Sequence, residues 1–152
     1  HVDESLHDGG AWTNSDAGWK YCYSDGYCAR SKYVTIDGST YYFNGDAVIA
    51  TGWVTFDAAW HWMTPSGRMA MGWTKVDGSW YYLDPATGAM ATGWVDVDGS
   101  WYYLKDSGAM HTGWLNLDGT WYYLGPDGAM FTGTHVINGR TYAFDESGVW
   151  QR

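Results

Sequence analysis

Cysteine and cationic side chains are scarce in this sequence, and it has no long apolar run. Its two cysteines are too few for a disulfide framework, and Cys22 and Cys28 do not match a zinc spacing. Lys and Arg together number 8 against 17 Asp and Glu, a formal net charge of -9. Such an acidic surface repels nucleic-acid phosphates and anionic membranes and concentrates cations instead. No apolar run is long enough to cross a bilayer, so no membrane insertion is expected. Helical periodicity of useful length is missing, as are a nucleophile elbow, a phosphate loop and a zinc signature. His1, His7, His61, His111 and His135 share no metal-ligand spacing. These gaps argue against an enzyme, a metal site and a bound cofactor in this chain. A catalytic domain could stand elsewhere in a longer parent protein. The polar, acidic start, within a tail spanning 1–11, does not read as a signal peptide, and the chain is expected to be mature or a cut piece.

What the sequence has in excess is aromatic residues and glycine: 12 Trp, 13 Tyr and 21 Gly in 152 residues. They fall into a repeat. Aligned on Trp12, Tyr33, Trp53, Trp73, Trp94, Trp114 and Thr134, the steps are 21, 20, 20, 21, 20 and 20 residues. Four residues after each anchor stands Asp16, Asp37, Asp57, Asp77, Asp98, Asp118 or Asn138, and in five units a Gly follows directly. Asp-Gly between apolar runs signals a hairpin, because a two-residue type I′ turn needs positive φ at both positions. The first and third units, with Asp16-Ala17-Gly18 and Asp57-Ala58-Ala59, are expected to have irregular or strained turns. Recurring at this spacing, the Asp residues read as turn formers, with no two paired for acid–base work.

After each turn comes a short aromatic strand, such as Trp80-Tyr81-Tyr82-Leu83, and then a Gly-rich connection. The reading is all-β: one repeat module over 1–152, a solenoid of about seven stacked β-hairpins. An isolated hairpin is marginal in water, so each must stack on its neighbours. With Asp77 and Gly78 as the turn, period-2 alternation puts Trp73, Lys75, Trp80 and Tyr82 on one face and Thr74, Val76, Tyr81 and Leu83 on the other. The second face varies among Val, Ile, Leu, Phe and Met across the units, as a core does. The first keeps Trp at both positions in five of seven units, which points to a need for a π-surface beyond mere volume. Packing alone remains an alternative, since aromatic residues dominate cores.

Gly-Trp, then Trp-Tyr-Tyr-Leu, then Gly-Ala-Met closely resembles the choline-binding repeats, or cell-wall-binding repeats, of Gram-positive cell-surface proteins. Gly93-Trp94 through Trp101-Tyr102-Tyr103-Leu104 and Gly108-Ala109-Met110 is a near-consensus copy. The resemblance implies a left-handed superhelix of hairpins, a secreted or cell-surface setting, and sites between consecutive repeats. Each site would take two Trp of one repeat and the second Tyr of the next. Carried across, this gives Trp12, Trp19 and Tyr42; Trp53, Trp60 and Tyr82; Trp73, Trp80 and Tyr103; and Trp94, Trp101 and Tyr123, with Met90 and Met110 at the edges. Two sites look broken: Tyr33 and Thr40 with Trp62 lack the Trp pair, and Trp114 and Trp121 would meet Ala143. The implied partner is choline or choline-bearing teichoic acid. A glucan or other glycan is the alternative ligand and a passive spacer the third reading. Some relatives dimerise through their last hairpin, which leaves a homodimer through the C-terminal repeats open.

Cys22 falls where other units have Leu83, Leu104 and Leu124, and Cys28 where they have Met69, Met90, Met110 and Met130. If that Leu and Met touch in an ordinary repeat, a Cys22–Cys28 disulfide could replace the contact, in keeping with a secreted setting. Two small buried thiols are the alternative.

Overall fold

The computed structural model describes residues 9–152; the polar segment 1–8, with His1 and His7, lies outside the described residues. Every regular element among the described residues is a strand. Six antiparallel pairs follow in chain order: β1 (Ala11–Ser15) with β2 (Gly18–Cys22), β3 (Lys32–Ile36) with β4 (Ser39–Phe43), β5 (Gly52–Phe56) with β6 (Ala59–Met63), β7 (Gly72–Val76) with β8 (Ser79–Leu83), β9 (Gly93–Val97) with β10 (Ser100–Leu104), and β11 (Gly113–Leu117) with β12 (Thr120–Leu124). The seventh, β13 (Gly133–Ile137) with β14 (Arg140–Phe144), gains a third strand, β15 (Trp150–Gln151). The chain forms two compact units, residues 9–71 with Pro85–Ala89, and Gly72–Asp84 with Met90–Arg152.

The turns set the register. Asp77 and Gly78 have φ of 50° and 86°, both in the left-handed region, and Val76 pairs with Ser79 across them. Trp73 is then opposite Tyr82, and Lys75 opposite Trp80. The third hairpin takes the strained alternative of the expectation, and its geometry stays regular. Asp57 and Ala58 take φ of 52° and 60°, the same two-residue geometry with alanine in the glycine position. The first turn does depart, since its positive φ falls later, at Gly18 (137°).

The core is a repeated position more than a region. Phe43, Met63, Leu83, Leu104 and Leu124 are the largest fully buried side chains, and each closes the second strand of its hairpin. Burying such a side chain is worth about 1.5–3 kcal/mol. Each meets the next loop through a backbone bridge: Phe43 with Ile49, Met63 with Met69, Leu83 with Met90, Leu104 with Met110 and Leu124 with Met130. In the first hairpin that bridge joins Cys22 and Cys28, which are disulfide-bonded. The covalent link thus stands where the other repeats have an apolar contact.

Within each unit, loops also bond back to the preceding hairpin. The Ile49 amide donates to the Trp19 carbonyl (2.8 Å) and Met69 to Thr40 (2.7 Å) in one unit; Met110 donates to Trp80 (2.7 Å) and Met130 to Trp101 (2.8 Å) in the other. These bonds satisfy strand-edge carbonyls that a lone hairpin would leave to water.

A residue with a Cβ at φ near 60° is strained relative to glycine. Ala58→Gly is therefore expected to stabilise the protein by about 0.5–1 kcal/mol. Urea unfolding read by Trp fluorescence checks this, with Gly78→Ala expected to move the midpoint the opposite way.

Candidate functional site

The second Trp stays exposed in four of the five pairs, at Trp19, Trp60, Trp80 and Trp101, while Trp121 is half-buried. Trp19 retains 47% of its surface, Trp80 41% and Trp101 43%. A ring sealed into packing would not keep so much. Each stands at the mouth of a cleft. One cleft of about 370 Å³ is lined by Trp73, Trp80, Tyr102, Met110, Pro126 and Asp127. A second, also about 370 Å³, has Trp94, Trp101, Tyr122, Met130, Glu146 and Ser147. A third, about 550 Å³, has Trp12, Trp19, Tyr41, Ile49, Pro65 and Arg68 among its walls. All three follow one rule: two Trp from one hairpin, a Tyr and the Met or Ile from the next, and a rim from the loop after that.

The Tyr is not the one expected from sequence. Tyr102 stands edge-on to Trp73 (ring centroids 4.9 Å), Tyr122 to Trp94 (5.0 Å) and Tyr41 to Trp12 (4.8 Å). Tyr82, Tyr103 and Tyr123 instead pack on Trp73, Trp94 and Trp114 of their own hairpins, at 5.0, 5.1 and 5.0 Å. Tyr42 stacks on Phe56 at 5.2 Å. The reason is facial. Tyr103 is the cross-strand partner of Trp94, so its ring is committed to its own hairpin's Trp face. Tyr102, one residue earlier, projects from the opposite face and so reaches the preceding hairpin.

The same shift supplies a ring beside Trp114, where alignment offered only Ala143. Ala143 offers no ring, but Tyr142 stands 4.9 Å from Trp114. Trp150 pairs with Phe144 as Met130 bridges Leu124, and packs on Trp114 at 5.7 Å and Tyr142 at 5.6 Å. The Arg152 guanidinium lies 4.7 Å over the Trp150 ring, a cation on an aromatic face.

Rim charge differs among the clefts. Asp127 and Glu146 put carboxylates at two of them, and Arg68 a guanidinium at the third. Sequence reasoning missed these residues, because each lies two repeats beyond its Trp pair. Met110 and Met130 are held over loop glycines: a Cβ on Gly128 would overlap Met110 Sδ, and one on Gly148 would overlap Met130 Sδ. Met90 lies in the same way over Gly108.

No group of three or more His, Cys, Asp or Glu among the described residues could hold a metal ion. His111 and His135 instead bond the carbonyls of Trp114 (2.9 Å) and Thr132 (2.7 Å). His61 is buried, with Nδ1 3.1 Å from the Ala59 carbonyl. Burial holds its imidazole below the usual pKa, so it is neutral at pH 7.

The family model of the choline-binding repeat matches residues 50–92 and 91–134, and that of a cell wall binding repeat matches residues 31–46. The chain belongs to the choline-binding repeat family. Its repeats are non-catalytic in themselves. Choline-binding protein CbpJ from Streptococcus pneumoniae TIGR4 is 34% identical, with a TM-score of 0.89 over 94% of this chain and 52% of that one. Choline binding protein F from Streptococcus pneumoniae is 36% identical, with a TM-score of 0.87 over 92% and 51%. The chain thus spans about half the length of these two relatives. The pneumococcal cell wall endolysin from phage Cp-1, in a complex with choline, is 31% identical, with a TM-score of 0.58 over 80% and 37%. No curated protein sequence matches the chain.

Gly128→Ala is expected to cost about 1–3 kcal/mol, from overpacking against Met110 and strain at a φ of 89°. Chemical denaturation of Gly128→Ala, Met110→Ala and the double variant checks the origin. The cost shrinks in the Met110→Ala background if the sulfur contact is its cause.

Proposed function

We propose that this choline-binding repeat chain anchors its bearer to a bacterial cell wall by holding the choline groups of teichoic acids in its aromatic clefts. The observation that carries the reading is the exposed indole beside an edge-on Trp–Tyr pair, repeated in three open clefts. A quaternary ammonium has no N–H to donate, so a carboxylate offers it charge alone. Ring faces offer dispersion and cation–π attraction together, about 0.5–2 kcal/mol each depending on desolvation. After entropic costs, three rings leave roughly 4 kcal/mol, a dissociation constant near 1 mM. Several such clefts facing a polymer with many cholines gain by avidity what each lacks alone. The Cp-1 endolysin relative, complexed with choline, supports the same ligand for this chain. The acidic surface works in the same direction.

The binding residues assigned are Trp73, Trp80, Tyr102 and Met110 in one cleft, and Trp94, Trp101, Tyr122 and Met130 in the next. Trp12, Trp19 and Tyr41 form a third, in which Arg68 opposes a cation and Ile49 replaces Met. This third cleft binds choline most weakly. Trp53 and Trp60 are assigned to the same role from the repeat pattern.

Titration of choline by calorimetry and Trp fluorescence should saturate in the millimolar range. Trp80→Ala should remove one site and lower stability by about 1–2 kcal/mol while leaving the other sites intact. Arg68→Ala should strengthen the Trp19 cleft by about two- to threefold at low salt, less at high salt. An unchanged number of sites in Trp80→Ala contradicts the assignment.

A further inference from the structure

Between the second and third hairpins lies a cleft of about 510 Å³ that follows the same construction with different chemistry. Tyr33 and Thr40 occupy the positions of Trp73 and Trp80, His61 that of Tyr102, and Met69 that of Met110. Thr87 supplies the rim where Asp127 does elsewhere. A quaternary ammonium finds little here: Thr40 brings no ring, and His61 is buried and stacked on Phe56 at 3.7 Å. Tyr33 is stacked on Phe56 at 4.9 Å, with Asp57 lining the same cleft. Hydrogen bonding to the Asp57 carboxylate, together with that group's charge, raises the Tyr33 pKa. The Thr35 and Thr40 hydroxyls sit 3.2 Å apart across the strand pair.

Apolar surface and hydroxyl chemistry therefore meet in one concave site. Phe56, Met69 and Met71 supply the first; Thr35, Thr40, Tyr33 and Asp57 supply the second. The volume falls within the range of small-molecule sites, about 300–1,000 Å³. A pyranose has matching features: a face of C–H groups for the apolar wall and a rim of hydroxyls for acceptors and donors. The Asp57 carboxylate is the strongest acceptor available to it, since hydrogen bonds to carboxylates are shorter and stronger than those between neutral groups.

We infer that this cleft is a saccharide subsite, lined by Tyr33, Thr35, Thr40, Asp57 and Met69, that takes a neutral pyranose unit of a glycan. The chain then reads two wall chemistries on one scaffold, a cation in the aromatic clefts and a sugar ring where the Trp pair is missing.

The methionine methyl groups distinguish the two kinds of site. Met69 and Met71 line the saccharide cleft, whereas Met110 and Met130 line choline clefts. With 13C-methyl-Met protein of the full chain, isomaltotriose and chitotriose are titrated separately, and choline in a third series. At least one saccharide should shift the Met69 and Met71 resonances and leave Met110 and Met130 in place; which one does so identifies the sugar type. Asp57→Asn, which keeps a residue tolerant of positive φ, should weaken that response about tenfold, and Thr40→Val by several-fold. Both variants should keep the choline response at Met110 and Met130, which also reports that they are folded. The inference is overturned if neither saccharide moves Met69 and Met71, if choline is what moves them, or if Asp57→Asn binds saccharide as the parent does. A failure of the choline reading appears at Met110 and Met130 instead.

Discussion

A hairpin of five-residue strands cannot cover both of its own faces, so its stability depends on the neighbour stacked on it. In this protein the stacking is fixed by a backbone hydrogen bond from one repeat's loop to the strand that carries the exposed indole of the repeat before. Met110 donates to the Trp80 carbonyl and Met130 to that of Trp101. The bond that closes the core therefore also sets where each indole stands relative to the next hairpin's Tyr and Met. The clefts are preformed, and a ligand entering them has little ordering left to do.

Much of this was legible in the sequence. Asp-Gly fixed the turns, the turns fixed the register, and the register separated the varied core face from the face that keeps its Trp pair. The tyrosine was not legible, because alternation assigns Tyr102 and Tyr103 to opposite faces without saying which face turns toward the preceding repeat. The same ambiguity made Ala143 look like a gap, when the ring comes from Tyr142 and a third strand brings Trp150 to the position of the usual Met. Rim residues such as Glu146 were out of reach for a different reason. They lie two repeats from the Trp they face, and only the stacking geometry brings them there.

One backbone rule thus supports several chemistries. Where Trp occupies both positions, the cleft presents π-surface; where Thr40 and Tyr33 stand instead, it presents hydroxyls beside a carboxylate. Rim charge is a second variable, acidic at Asp127 and Glu146 and basic at Arg68. Cys22 and Cys28, both half-buried, vary the stack in another way, with a disulfide at the position of an apolar pair.

The central claim is that the clefts recognise positive charge through ring faces and do not merely accommodate shape. Binding of choline compared with its neutral isostere, 3,3-dimethylbutan-1-ol, by calorimetry under identical conditions tests it most directly. The two share shape and apolar area and differ in charge. Cation–π attraction predicts that the isostere binds at least about tenfold more weakly. Equal affinity would mean that the rings act as apolar walls alone, and would contradict the account.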